Sequence, residues 1–220
     1  SIGITKPDKG KIMSGFLAFG AIAGAIIVIL RVLFFARIET PEELKEKTKI
    51  PIIGFIPTVK DMKAIGIYVE TDPRSAAAEA FRTIRTNIQY INPDEGSKVI
   101  LVTSNAPGEG KTFTSINIGA ILAKAGKKTL ILELDLHKPR VQKALEMVPE
   151  KGISSIIIGA DKIKDCITST VVENLDVLLS GPSPPNPSDL ILSEKLSEII
   201  EYGKKNYDYV IIDTPPAGLI

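Results

Sequence analysis

A single glycine-rich turn, set between an apolar strand and a helix, constrains the fold of this chain most. It reads Ser-Asn-Ala-Pro-Gly-Glu-Gly-Lys-Thr over residues 104–112, after the apolar run 98–103 and before a helical pattern that continues to about Ala125. Glycines let backbone N–H groups approach phosphate oxygens, and the start of the helix adds the positive end of its dipole. This strand, turn and helix therefore predict a P-loop.

The residues of the turn have separate expected tasks. Lys111 would reach the β- and γ-phosphates of ATP, and the Thr112 hydroxyl would bind Mg²⁺. The usual pattern has glycine five residues before Gly110, where this chain has Asn105. The alternative is a structural turn whose lysine faces solvent. We expect ATP to contact Ser104, Asn105, Pro107, Gly108, Glu109, Gly110, Lys111, Thr112 and Phe113.

Short apolar strands alternate with helical patterns along most of the chain. An amphipathic helix is predicted over 76–91, and another over 188–204 that begins at Ser188 and Asp189. The proline-rich stretch 181–187, just before the second helix, excludes regular structure. The alternation predicts an α/β fold of the P-loop class, with a doubly wound, mostly parallel sheet. The predicted strands are 98–103, 128–134, 174–179 and 208–212.

Acidic residues stand at the ends of two predicted strands. Asp213 ends the run Tyr-Val-Ile-Ile-Asp, at the position where P-loop ATPases hold magnesium, usually through water. Glu133 and Asp135 end another strand, and their spacing of two puts them on one face of extended chain. Both then face the phosphates, one near magnesium and one near an incoming hydroxyl. The alternatives are a turn-forming aspartate and a solvated acidic turn.

Residues 12–30 form 19 consecutive uncharged and mostly apolar positions. At about 1.5 Å per residue they span about 28 Å, close to the hydrocarbon thickness of a bilayer. A signal-peptide core and a buried helix are the alternatives. More Lys and Arg residues follow this run than precede it, which favours its C-terminal side as cytoplasmic. We expect a transmembrane segment with flanks over 1–37, a cytoplasmic linker over 38–75 and a C-terminally truncated P-loop domain over 76–220.

Composition excludes several kinds of site. Lys and Arg number 27 and Asp and Glu 26, a formal net charge of +1, and no long basic run occurs, so we expect no nucleic-acid partner. A single cysteine, Cys166, excludes an internal disulfide and a four-cysteine zinc site. We interpret it as a small apolar residue that is buried or half-buried.

With these motifs in order, the chain resembles the bacterial tyrosine kinases (BY-kinases) of capsule and exopolysaccharide export. The shared segments are the P-loop at 104–112, a second Walker-type motif at 130–137, the Walker B strand at 209–213 and the proline loop at 181–187. The resemblance implies a membrane-anchored autokinase that converts ATP and protein tyrosine to ADP and phosphotyrosine. It also implies catalytic roles for Lys111, Glu133, Asp135 and Asp213, and magnesium binding by Thr112, Glu133 and Asp213.

The second motif departs from the family pattern Asp-x-Asp-x-Arg. Glu133 lengthens the acidic side chain by one methylene, and His137 replaces a permanently charged side chain. We expect these changes to affect catalytic efficiency more than nucleotide binding.

The helical segment Glu-x-x-Arg-x-x-Arg resembles the one with which the family contacts the neighbouring subunit of a ring. It comprises Glu79, Arg82 and Arg85, whose spacing of three puts them along one side of a helix. An ordinary solvated charged face is the alternative. The resemblance implies a homo-oligomer through residues 79–87, an inner (cytoplasmic) membrane location with the kinase domain in the cytoplasm, and contact with polysaccharide export machinery. It also allows a cognate tyrosine phosphatase as a partner.

The acceptor tyrosines of the family form a cluster at the C-terminus, beyond the motifs found here. The tyrosines of this chain are scattered, and we interpret all of them as structural: Tyr68, Tyr90, Tyr202, Tyr207 and Tyr209.

Two other functions fit parts of the sequence. A partition- or septum-positioning ATPase shares the P-loop class, but its signature lysine is replaced here by Ala106. A polysaccharide co-polymerase anchor whose ATP site only sets assembly state is the non-enzymatic alternative.

Overall fold

The computed structural model describes residues 9–34, 41–59, 66–182 and 193–219, and the chain divides into two compact units, 1–52 and 53–220. The first unit contains helix α1 (Lys9–Phe34) and helix α2 (Pro41–Lys47). Within α1 the segment Ile12–Arg31 has a mean hydropathy of 2.4 and is long and apolar enough to cross a membrane. Helix α2 begins at a proline followed by two acidic residues, both of which favour the first turn of a helix.

The second unit is built on one five-stranded sheet, with the strands in the order β1-β5-β2-β4-β3. The three pairs among β1, β5, β2 and β4 are parallel, and β3 runs antiparallel to β4. The prediction of a mostly parallel α/β sheet is therefore confirmed. The strands are β1 (Lys98–Val102), β2 (Thr129–Glu133), β3 (Ile167–Ser169), β4 (Leu175–Leu178) and β5 (Tyr209–Asp213).

Helices cover both faces of this sheet. Alternate strand residues such as Ile131 and Ile211 pack on one side, against α3, α4 and α5. Their neighbours Leu130 and Val210 pack on the other side, against α7, α8 and α9. This arrangement is the doubly wound fold that the sequence predicts. The helices are α3 (Tyr68–Thr71), α4 (Ala76–Ile91), α5 (Lys111–Ala123), α6 (Val141–Ala144), α7 (Ile153–Ile157), α8 (Ile163–Cys166) and α9 (Glu194–Asn206).

Some boundaries differ from those expected from sequence. The second compact unit begins at Ile53 and not at residue 76, because Ile53 packs against the core and Ile67 and Val69 are buried in it. The Asn117 side chain accepts a hydrogen bond from the Val69 N–H at 2.9 Å, which fixes this segment to α5. Helix α9 begins at Glu194. Residues 183–192 lie outside the described residues, and they include the expected helix start at Ser188 and Asp189 and most of the proline loop.

The strand register brings the expected catalytic segments to one edge of the sheet. Asp213 ends β5, between Val102 of β1 and Glu133 of β2. The carboxyl ends of parallel strands meet at the same edge, which is where α/β proteins bind ligands. The loops that follow β1, β2 and β5 therefore form the candidate site.

Candidate active site

The glycine-rich turn has the backbone conformation that its glycines permit. Gly108 and Gly110 have φ angles of +85° and +93°, in the left-handed region that side chains disfavour. Gly110 is the N-cap residue of α5. The first hydrogen bond of this helix is donated by the Thr114 N–H to the Gly110 carbonyl at 2.9 Å. The N–H groups of the preceding helical residues are thereby left for an anion.

The start of this turn is held by a segment that follows β5. The backbone N–H groups of Ala217 and Gly218 donate to the carbonyls of Ser104 at 2.8 Å and Asn105 at 3.2 Å. A Cβ atom on Gly218 would lie 2.3 Å from the Asn105 carbonyl oxygen, so only glycine allows this approach. The Asn105 N–H itself donates to the Glu109 carboxylate at 3.0 Å. Asn105, the departure from the usual pattern, thus stands opposite a residue without a side chain.

Asp213 is the centre of the site. It is 1% exposed, and its two carboxylate oxygens accept hydrogen bonds from Thr112 Oγ1 at 2.8 Å and Ser115 Oγ at 2.9 Å. Burial raises the pKa of Asp213, and the two hydroxyl bonds and the nearby Lys111 ammonium oppose that rise. Sequence reasoning missed Ser115. Its position three residues after Thr112, on the same side of α5, was the available signal.

Asp135 lies near Asp213, and the structure brings both together with Lys111 and Thr112. The charge of Asp135 contributes to the raised pKa of Asp213. Asp135 is half-buried, and its Oδ1 accepts the backbone N–H of Lys138 at 3.0 Å. Among the described residues, none donates a hydrogen bond to the other oxygen, Oδ2. That oxygen is therefore open to an incoming group.

Glu133 has different partners from those its expected metal and catalytic roles require. It is fully buried, and Oε1 accepts the backbone N–H groups of Val141 at 2.6 Å and Gln142 at 3.4 Å. Its Oε2 accepts the N–H of Ser180 at 3.2 Å. Burial raises its pKa, these N–H groups lower it, and the Asp213 charge raises it further. The carboxylate therefore joins the loops that follow β2 and β4.

The donors around Asp213 fit a magnesium ion that binds together with a nucleotide. Mg²⁺ prefers hard oxygen ligands and is usually held by one or two carboxylates plus substrate phosphates. The Thr112 hydroxyl and Asp213 carboxylate supply such oxygens from the protein side. Within the part of the chain that the structure describes, no group of three or more His, Cys, Asp and Glu residues could hold a metal by itself.

Two further groups of expected site residues have other surroundings. The Phe113 ring is buried with Phe81, centroid to centroid at 5.7 Å, so only the Phe113 backbone faces the P-loop. On α4, Arg82 pairs with Glu79 at 2.5 Å and donates to the Pro73 carbonyl at 2.7 Å, and Arg85 is half-buried. The expected subunit contact of these charged residues stays a prediction.

Comparison with known proteins agrees with this geometry. Residues 97–219 match a family model described as AAA domain. The chain is 41% identical to the putative tyrosine-protein kinase CapB of Staphylococcus aureus, over 70% of this chain and 68% of that protein. It is 32% identical to the tyrosine-protein kinase wzc of Salmonella typhimurium, over 97% of this chain but only 32% of that protein. The chain thus spans about a third of the length of wzc.

Solved structures show the same similarity. The kinase domain of Escherichia coli tyrosine kinase ETK superimposes with a TM-score of 0.77 and 28% identity, covering 84% of this chain and 75% of that one. The septum site-determining protein MinD of Pyrococcus horikoshii, complexed with Mg-ADP, gives a TM-score of 0.50 and 27% identity, covering 55% of this chain and 50% of that one.

Proposed function

Since the chain belongs to the bacterial tyrosine-protein kinase family, we propose that it transfers the γ-phosphoryl group of ATP to protein tyrosine. Its family agrees with the resemblance that the motifs indicate. One observation supports the activity best: Asp213, at the tip of β5, accepts hydrogen bonds from the Thr112 and Ser115 hydroxyls beside the P-loop. This is the arrangement that a Mg²⁺–nucleotide site needs.

The chain's own residues divide the work of phosphoryl transfer. The α5 N-terminus and the turn cradle the phosphates, and Lys111 neutralises charge on the β- and γ-phosphates. Thr112 and Asp213 would hold magnesium, which when bound screens the phosphate oxygens. Ser104, Asn105, Pro107, Gly108 and Glu109 shape the turn. Most of the rate enhancement would come from positioning and charge neutralisation.

Asp135 is the better candidate to receive the tyrosine proton. Its Oδ2 has no hydrogen-bond donor in the described residues, whereas both Glu133 oxygens accept backbone N–H groups. A general base must lie within hydrogen-bond reach of the proton it removes. We therefore assign Glu133 to holding the loops of the site and Asp135 to orienting the acceptor hydroxyl.

We also propose a cellular setting for this kinase. We place α1 in the inner membrane and the P-loop unit in the cytoplasm, because α1 is long and apolar enough to span and more Lys and Arg residues follow it. The proposal includes a contact between subunits through Glu79, Arg82 and Arg85. It also includes a role for the kinase in polysaccharide export. A tyrosine phosphatase would remove the phosphate from tyrosine by hydrolysis.

The activity is tested with the full-length protein, ATP and Mg²⁺, with phosphotyrosine measured by mass spectrometry. Lys111→Met should lower phosphotyrosine formation about 100-fold or more, the usual scale for losing one charge-stabilising donor. Lys127→Met, an exposed lysine at the opposite edge of the sheet, is the matched control and should label like wild type. Equal labelling by Lys111→Met and wild type would end the proposal.

The magnesium role has its own pair of variants. Thr112→Val keeps the shape of the side chain but removes the hydroxyl, so it should lose Mg²⁺-dependent affinity for ATP and most labelling. Thr112→Ser keeps the hydroxyl and should retain both. Similar ATP affinity in the two variants would mean that the hydroxyl has no part in binding.

A further inference from the structure

Tyr90 differs from the other tyrosines because its side chain is free and exposed. It lies in the last turn of α4, is 79% exposed, and its hydroxyl has no hydrogen bond to any described residue. By contrast, the Tyr207 hydroxyl donates to Asp176 at 2.8 Å, the Tyr68 ring packs on Phe113, and Tyr209 is buried. Tyr202 is half-buried. Tyr90 is therefore the most exposed of the five tyrosines, and another protein can contact its hydroxyl without displacing a hydrogen bond to a described residue.

Two exposed acidic residues follow Tyr90 within five positions. Helix α4 ends at Ile91, and the chain continues through Pro93, Asp94 and Glu95 without regular structure. Both acidic side chains are exposed, and no described residue forms an ion pair with either. We call residues 90–95 the acidic tyrosine segment. The segment therefore presents the Tyr90 ring and two acidic side chains together at the protein surface.

A basic loop, residues 137–143, lies beside the candidate catalytic residue. It carries Lys138, Arg140 and Lys143, all exposed, and contains no carboxylate. None of the three forms an ion pair with a described residue. Two carboxylates hold the backbone of this loop. Asp135 accepts the N–H group of Lys138, and Glu133 accepts the N–H groups of residues 141 and 142. The loop thus presents unpaired positive charge on a preorganised backbone next to Asp135.

The two segments lie at opposite ends of the parallel strands of one sheet. The acidic tyrosine segment precedes β1, whereas the basic loop follows β2, and the two strands run in the same direction. Strands of five residues separate the edges by about 13 Å before either loop is added. The segments of one folded chain therefore do not meet, and a second copy is required. Such a head-to-tail contact is heterologous, the kind that builds rings.

From this charge complementarity we propose that the basic loop of one copy binds the acidic tyrosine segment of a second copy, and that Tyr90 is phosphorylated there in trans. The inference rests on the proposed kinase activity. The Tyr90 phenol oxygen forms a bond to the γ-phosphorus as the bond between that phosphorus and the β,γ-bridging oxygen breaks. ADP leaves, and Asp135 takes the phenol proton.

The test uses two full-length copies with separate tasks. The acceptor copy carries Lys111→Met, so it supplies Tyr90 but no catalysis, and the enzyme copy carries Tyr90→Phe. After incubation with ATP and Mg²⁺, phosphate on Tyr90 is measured by mass spectrometry. Charge reversal by Lys138→Glu and Arg140→Glu in the enzyme should lower Tyr90 labelling about tenfold or more, since like charges then oppose each other. Lys127→Glu and Lys128→Glu, at the other edge, should leave it unchanged.

A charge swap decides whether the two segments touch. Asp94→Lys and Glu95→Lys in the acceptor should lower labelling by the wild-type loop and restore it with the reversed loop, as in a double-mutant cycle. Failure of the swap to restore labelling overturns the inference. So does an unlabelled Tyr90 when other tyrosines are labelled, or a loop reversal that weakens ATP binding. Absence of phosphotyrosine on every tyrosine of the wild-type protein overturns the kinase activity as well.

Discussion

Ser115→Ala tests the geometry around Asp213 without touching an expected phosphate ligand. Ser115 is fully buried in α5, and its hydroxyl donates to Asp213 Oδ1 at 2.9 Å, with the Lys111 carbonyl oxygen as a second acceptor at 3.0 Å. A hydrogen bond to a charged group contributes about 1.5–3 kcal/mol to stability. Alanine forms helices better than serine by about 0.5 kcal/mol, which offsets part of the loss. We therefore expect the free energy of unfolding to fall by about 1–2.5 kcal/mol at neutral pH.

The loss should depend on pH in a defined direction. Burial raises the pKa of Asp213 above its unfolded value, and the Ser115 hydroxyl bond opposes that rise. A carboxyl group with a raised pKa takes up a proton more readily in the folded chain, so this group favours folding more as pH falls through the folded-state pKa. Removing Ser115 raises that pKa further. The destabilisation should be largest above the folded-state pKa and should shrink below it.

Ser154→Ala is the matched control. Ser154 is also buried in a helix, but its Oγ has no hydrogen-bond partner among the described residues, so its removal should be neutral or slightly stabilising. Urea unfolding of the detergent-solubilised chain, followed by circular dichroism at neutral and acidic pH, measures both variants. Equal stability changes in the two, or a Ser115→Ala effect that does not vary with pH, would refute the role given to the Asp213 hydrogen bonds.

Three further changes test other parts of the structure. Gly218→Ala places a Cβ 2.3 Å from the Asn105 carbonyl oxygen, and the resulting strain of about 1–3 kcal/mol should displace the P-loop. ATP affinity, measured by calorimetric titration, should fall about tenfold, and an unchanged affinity would contradict this. Phe81→Ala empties a fully buried position and should lower the unfolding free energy by about 3–5 kcal/mol in urea, and a loss below 1 kcal/mol would speak against it. The ion pair with Lys151 lowers the pKa of Asp161, so Asp161→Asn should lower the free energy of unfolding at neutral pH. This loss of stability should disappear below the folded-state pKa of Asp161, and a loss that persists in acid would contradict the prediction.

Sequence pattern predicts the sheet well where apolar runs and turn residues agree. The predicted strands 98–103 and 208–212 match β1 and β5 to within about a residue. For this reason the sequence also predicts correctly that Asp213 lies at the carboxyl end of β5. Strand β3 has three residues and no apolar run, so no periodic signal marks it. Ile67 and Val69 sit in a proline-punctuated stretch, where burial depends on contacts with α5 that sequence does not display.

The site shows the same division between local and distant contacts. The glycine turn and Asp213 follow from local patterns. The partners of Glu133 do not, because they are backbone N–H groups eight residues away at Val141 and 47 residues away at Ser180. The contact of Gly218 with Asn105 likewise joins distant segments, and a glycine two residues after Pro216 is typical of an ordinary turn.

The fate of the γ-phosphate tests the central claim most directly. Phosphotyrosine and free phosphate are measured together on one preparation of the full-length protein with ATP and Mg²⁺, beside Lys111→Met. A tyrosine kinase should place phosphate on tyrosine in the wild type, with little free phosphate by comparison, and neither product should form in the variant. Free phosphate without phosphotyrosine would indicate a septum-type ATPase, and ATP binding without either product would leave only an assembly role.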